Sequence, residues 1–380
     1  MTPSLGLYLH WPYCARICPY CDFNVYKSRA SHDDLVDAIL ADMGHWRELT
    51  GKRPLASIHF GGGTPSLLKP AQLEHLIARA EDLWGLEAGI EIGLEANPDD
   101  QAAFAGLAAA GANRLSLGVQ SFDDAALKAL GRAHDGDGAR AAIKAAQAAF
   151  PRVSFDMIYA LEGQGLDDWR GELSEAIDYG TEHLSLYQLT IEPGTAFAKR
   201  VERGALIPPG EDLAADLYAL TQELCAKAGL EAYEISNHAR GVSAQSVHNR
   251  LYWTGGDWIG VGPGAHGRLG SASGGGRLAT EARARPEAYR AGVTETGRGH
   301  GAPEILSADA EAAERILMGL RITDGLDRAA LRAATGRDID IGAAERYARQ
   351  GLLTLTPDRV ALTPEARVYG DRMANELVPD

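Results

Sequence analysis

Cysteine is scarce in this sequence, with four residues in 380. So few exclude a disulfide-stapled scaffold. Three of them fall within eight positions, which in a reducing compartment points to metal rather than crosslinks. The fourth, Cys225, stands alone in the helical stretch DLYALTQELCAKAGL and reads as a buried small hydrophobe. No run approaches the roughly 18 uninterrupted apolar residues of a membrane span. The start MTPSLGLYLHWPYC also lacks the charged n-region, apolar centre and cleavage site of a signal peptide. Stable membrane insertion is therefore not expected, and the expected compartment is the cytoplasm. Positive charge is short as well. The formal net charge of -15 gives no counterion-release attraction to a phosphate backbone, so nucleic acid is not an expected partner. What is present, 45% apolar and 23% charged residues, suits a globular chain with one large and one small domain.

Short β-rich runs alternate with longer helical ones. LGLYLH precedes a helix over 31–49, ASIHF one over 70–84, IEIGLEA one over 100–110, RLSLGV one over 123–149, RVSFDMI one over 167–179, and HLSLYQL one over 211–228. Six βα units imply an α/β fold with a parallel sheet covered by helices. Polar and glycine-rich residues gather at the strand ends: the cysteines, GGGTPS, Glu95 with Asn97, Gln120, Asp156 and Gln188. A barrel collects strand C-terminal ends around one pocket, so this pattern predicts a partial (β/α)6 TIM-like barrel over residues 1–235. Residues 236–302 read as a connecting segment. The stretch 231–269, which begins just before it, is expected to be irregular or short-stranded and carries HNRLYW and GVGPGAHG, while the glycine- and serine-rich 270–302 is expected to cross flexibly. Residues 303–380 read as a small winged-helix-like α+β module, with a helix over ADAEAAERILMGLR, helices near 327–335 and 342–350, and a hairpin in LLTLTPDRVALT. Its 14 acidic against 10 basic residues, net -4, argue against DNA binding.

Cys14, Cys18 and Cys21 lie in CARICPYC, just beyond the first strand. Thiolates at this spacing can take three corners of an iron–sulfur cubane and leave one iron open to an exogenous ligand. A zinc site with His10 as fourth ligand is the other reading these residues leave open. The loop resembles that of the radical S-adenosylmethionine superfamily, whose members carry CxxxCxxC after the first strand of a partial barrel. The resemblance runs over about residues 1–235. It implies a [4Fe-4S] cluster on the three cysteines, S-adenosylmethionine on the open iron, an electron donor, and radical chemistry carried by the cofactor.

Further residues match the same family. Gly62, Gly63 and Thr64, in GGGTP, resemble its second-strand motif, where glycine lets backbone reach the methionine amino group. Glu95, in GLEANP, matches a ribose-binding carboxylate, and Gln120, Arg132 and Asp156 match other cofactor-lining positions. Each has a plainer reading: Arg132 as a solvated helix-end charge, Gln120 and Asp156 as strand-end hydrogen-bonders. Tyr8 and Tyr20 flank the cysteines and suit packing on the cluster or adenine, or in the core.

HNRLYW, with PYCDFN, IEPGT and GVGPGAHG, narrows the resemblance to the HemN/HemW branch, on its heme-chaperone side, and extends it over nearly the whole chain. This implies heme as cargo, an unidentified acceptor protein, and His248 as first candidate heme ligand beside Tyr252 and Trp253, with His266 in reserve. The plainer reading of His248 is a core histidine. The branch's oxygen-independent coproporphyrinogen III oxidases carry a further cysteine where this sequence has Phe23, and a long segment ahead of the cysteines where this sequence has 13 residues. Both departures argue against oxidative decarboxylation, which is kept as the alternative function. Neither bears on reductive cleavage of S-adenosylmethionine, so the residues leave open whether the chain is an enzyme.

Overall fold

The strands form where the apolar runs predict them. The computed structural model describes residues 4–27, 32–270 and 276–379. Six strands, β1 (Leu5–Trp11), β2 (Leu55–Gly62), β3 (Leu86–Ala96), β4 (Arg114–Gln120), β5 (Arg152–Tyr159) and β6 (His183–Gln188), lie side by side in that order, each parallel to the next. Alternation decides which residues face the helices. Leu5, Leu7 and Leu9 join Leu35, Ile39 and Met43 of the helix Asp33–Thr50 in the main core. Each such side chain contributes roughly 1.5–3 kcal/mol on full burial. Tyr8, between them, faces the barrel interior, where its ring stacks on His59 and His248.

A seventh strand, β7 (Asp257–Val261), pairs in parallel with the free side of β1. Antiparallel pieces extend both edges: Asn237–Ala239 along β6, and His266–Leu269, Leu278–Glu281 and Glu304–Ile305 beyond β7. Among the described residues the two sheet ends do not pair, so the barrel is partial.

Three stretches differ from expectation, each for a local reason. The helix expected over 123–149 is two helices, Asp124–Ala129 and Gly136–Ala149, because Asp135 caps a new start through the Gly138 N–H. HNRLYW is not irregular but helical, Val247–Trp253. Ser246 caps this helix through the Asn249 N–H, and the buried Glu91 accepts from the His248 N–H at 3.1 Å. In 270–302, whose residues 271–275 lie outside the described residues, the strand Leu278–Glu281 packs against the main core through Leu278, and the helix Pro286–Thr296 enters it through Tyr289 and Val293.

The C-terminal module has its own core around Ile316, Leu331, Val360 and Met373. It comprises helices Ala308–Gly319, Arg328–Thr335 and Ile341–Arg349 and the hairpin of Leu353–Leu355 with Arg359–Leu362. The helix Gly370–Leu377 is additional. No helix among the described residues is long and apolar enough to cross a membrane.

Candidate functional site

The three thiols stand on a loop held at both ends. Behind β1, Tyr13–Cys14 pairs with Tyr26–Lys27, and the Tyr26 N–H donates to the Pro12 carbonyl at 2.7 Å. The Asn24 amide donates to the carbonyls of Pro263 (2.9 Å) and Ala284 (2.8 Å), which ties the loop to GVGPGAHG. Cys14, Cys18 and Cys21 are all free and line one cavity of about 360 Å³ at the C-terminal ends of the strands. Burial pushes the Cys14 thiol up and carries Cys21 to about 11. Cys18 accepts from the Arg132 Nη1 at 3.4 Å, and Tyr20 lines the same cavity. Among the described residues no three His, Cys, Asp or Glu side chains converge as ligands of one ion. Cubane thiolates each take a different iron and need no such point. His10 is engaged elsewhere, with Nδ1 on the Tyr8 hydroxyl (3.0 Å) and Nε2 on the Asn24 carbonyl (2.9 Å).

The other strands complete the wall. After β2, the N–H groups of Gly63 and Thr64 donate to the carbonyls of Trp11 (2.7 Å) and Tyr13 (2.9 Å). A Cβ at Gly63 would lie 2.7–2.8 Å from those oxygens, so only glycine lets the two chains cross here. Glu95 at the end of β3 accepts from the Gly62 N–H at 3.1 Å with Oε2, while Oε1 faces His59 Nε2 at 3.2 Å. Ser116, Gly118 and Gln120 of β4 line the cavity at every second position. Gln120 has φ 72° beside a register shift, a backbone state that non-glycine residues adopt only where surrounding structure enforces it. Arg132 reaches Cys18 from the break between the two helices after β4, so the interruption of the expected helix is what delivers it to the site.

Asp156 on β5 accepts from Ser116 at 3.0 Å. Burial, with the Glu95 charge adding to it, pushes its pKa from 3.8 up to about 6. Between these values the native state keeps a proton that the unfolded chain has lost, so stability falls as pH rises through that window and levels off above it. Asp156→Asn removes the penalty and keeps an acceptor for Ser116. Its expected gain is about 3 kcal/mol well above pH 6 and nothing below pH 4, as followed by Tm from pH 4 to 8. An equal shift in Tm at both extremes would contradict this origin.

The cavity therefore gathers Cys14, Cys18, Cys21, Tyr20, Gly62, Gly63, Thr64, Glu95, Gln120, Arg132 and Asp156. It does not gather Tyr8 or His248. His248 is buried inside the barrel, its ring stacked 4.1 Å from His59 at 11° and edge-on to Tyr252 at 4.3 Å. Burial, then the neighbouring His59, hold its pKa well below 6.5. His266 is exposed at the head of His266–Leu269. Sequence reasoning missed Ser116 and Tyr187. The i, i+2 spacing from Gln120 through Gly118 would have found Ser116, whereas Tyr187, 42% exposed at the end of β6, carries no comparable signal. Phe23 (60% exposed) and Ile17 (46%) form an apolar part of the mouth.

Residues 8–175 match the model of the radical SAM superfamily, and residues 306–369 that of the HemN C-terminal domain. The chain is 36% identical to the heme chaperone HemW of Mycobacterium tuberculosis over 383 residues, covering 98% of this chain and 94% of that one. It is 40% identical to heme chaperone HemW of Escherichia coli over 272 residues (70% and 71%). It is 39% identical to the mouse protein called radical S-adenosyl methionine domain-containing protein 1, mitochondrial, over 331 residues (84% and 74%). Among solved structures, coproporphyrinogen III oxidase (HemN) from Escherichia coli shares the fold at a TM-score of 0.83 and 22% identity, covering 99% of this chain and 90% of that one. Thiols on the loop after β1, a glycine crossing after β2 and these relationships lead to one assignment: the chain belongs to the radical SAM superfamily, in the HemN/HemW branch.

Proposed function

We propose that this protein is a heme chaperone of the cytoplasm. It carries a [4Fe-4S] cluster on Cys14, Cys18 and Cys21, holds exchangeable S-adenosylmethionine beside it, and passes heme to an acceptor protein. The observation that carries the cofactor reading is the convergence of three free thiols with Gly62, Gly63, Thr64, Glu95, Gln120, Arg132 and Asp156 on one cavity. The heme reading rests on the HNRLYW motif and on likeness to proteins named heme chaperones. When bound, the cluster supplies an open iron and one-electron chemistry. The chain's own part is placement. The Gly62–Gly63 backbone would meet the ligand's amino group, Glu95, oriented by the Gly62 N–H, would present its carboxylate to ribose hydroxyls, and Arg132 donates to Cys18. Tyr20, packed against Phe197 at 6.1 Å, closes one side against water. An electron donor is a further partner of this reading.

His248 remains the first heme ligand to test and His266 the second. The lowered pKa keeps the His248 imidazole neutral, the form that ligates iron, but its ring must leave the His59 stack to do so. Anaerobically reconstituted protein is expected to give a Soret band on titration with hemin, and His248→Ala to weaken binding about tenfold, ~1.4 kcal/mol. No Soret band at all would sink the chaperone reading. Formation of protoporphyrinogen IX from coproporphyrinogen III under reducing, anaerobic conditions would favour the oxidase instead.

A further inference from the structure

The geometry points to Asn97 as a positioning residue that holds the hydrogen-bond donors of Cys14 and Cys18 and thereby sets the reduction potential of the centre bound there. This rests on reading the three cysteines as cluster ligands. Asn97 follows β3, and Pro98 restricts it to the extended backbone it adopts, φ -102° and ψ 153°. Its Oδ1 accepts from Arg132 Nη2 at 2.5 Å, and its Nδ2 donates to Thr64 Oγ1 at 3.1 Å. The amide cannot be reversed, because a guanidinium only donates and must face Oδ1. Each contact in turn aims a proton at sulfur. The Thr64 hydroxyl accepts from Asn97, which leaves its own hydrogen free to turn to the Cys14 thiol, next to the Tyr13 carbonyl that the Thr64 N–H already holds. Arg132, held through Nη2 by Asn97 and by the Gly118 carbonyl at 2.8 Å, turns Nη1 to Cys18 Sγ at 3.4 Å.

One side chain thus holds both Thr64, which faces Cys14, and Arg132, which bonds Cys18, across three separate loops. Hydrogen bonds to ligand sulfur stabilise the more negative reduced cluster and raise its potential. Without Asn97 the Thr64 hydroxyl is free to rotate and Arg132 keeps Gly118 alone.

The test is a potentiometric titration of the full chain, reconstituted anaerobically without S-adenosylmethionine and followed by EPR of the reduced cluster. Asn97→Ala is expected to lower the reduced-to-oxidised ratio at fixed poise about tenfold, a midpoint shift of about 59 mV for one electron. The midpoint reads only molecules that hold a cluster, so incomplete loading does not alter it. In a Thr64→Val, Arg132→Met background, Asn97→Ala should move the midpoint no further, because its partners are gone. An unmoved midpoint in the single variant, or an equal shift in the substituted background, overturns the assignment. If Asn97→Ala holds no cluster, Asn97→Ser is titrated under the same criteria. Wild type that takes up no iron and sulfide overturns the cluster reading itself, whereas loaded wild type with an unmoved variant overturns the role of Asn97 alone.

Discussion

Protein in which Cys14, Cys18 and Cys21 are all serine is expected to lose essentially all bound iron and sulfide, and with them retention of S-adenosylmethionine, while keeping its fold. Iron–sulfur clusters are held by soft thiolates, and a serine hydroxyl does not ionise in their place. Changes to residues that merely support ligands cost about 10–100-fold in metal affinity, so removing three ligands exceeds that range. The fold should persist because these cysteines contribute little to the core. Only Cys14 is buried, and the loop is held by Asn24, by the Tyr26–Pro12 bond and by the Gly63 and Thr64 N–H groups rather than by sulfur. Iron and sulfide analysis after anaerobic reconstitution reads the first effect, and circular dichroism with thermal melting reads the second. Serine protein with wild-type iron content would overturn the assignment of the ligands. A collapsed melt would show that the thiols also stabilise the loop in the apo protein.

The barrel and most of its site were legible because each is written in short-range pattern. Apolar runs such as LGLYLH and RLSLGV fix strands by their own burial, and the residues after them become the cavity wall by topology. The illegible parts depend on contacts distant in sequence. Val247–Trp253 is a helix inside the barrel because Glu91, more than 150 residues away, accepts from the His248 N–H and from the Ser246 cap hydroxyl, so nothing within HNRLYW announces a helix there. The same burial keeps His248 out of the cavity that the cysteines line, as its plainer reading as a core histidine has it. Arg132 read equally well as a solvated charge, since only the cap at Asp135 and the fold of the loop bring it to Cys18. Apart from the reserve ligand His266, GVGPGAHG read as a family signature with no physical task. In the fold it stands against His10 and Asn24, at the back of the cysteine loop.

That task supports the second large prediction, Gly262→Ala. Gly262 has φ 98°, and a Cβ built on it would lie 2.2 Å from the His10 carbonyl oxygen, a backbone atom that cannot swing aside. Its N–H donates to the Tyr289 hydroxyl at 3.0 Å, which in turn donates to the buried Asp42 at 2.7 Å, so the end of β7 cannot retreat without breaking that chain. Backbone strain and steric displacement together should cost about 3 kcal/mol or more. At roughly 2–4 °C per kcal/mol, as for domains of 150–250 residues, the melt should fall by about 5 °C or more. The displacement also moves the neighbouring Pro263 carbonyl that holds Asn24, so cluster retention should drop although every thiol is intact. Gly297→Ala is the matched control. Gly297 also has a positive φ, 73°, at the end of the helix Pro286–Thr296, but a Cβ there meets nothing within 4 Å. Its cost should stay near the ~1 kcal/mol of a left-handed non-glycine residue, with cluster content unchanged. If both variants melt alike, the penalty at Gly262 is conformational only, and GVGPGAHG does not clasp the loop. If Gly262→Ala melts early yet holds its iron fully, the segment supports the sheet without positioning the thiols.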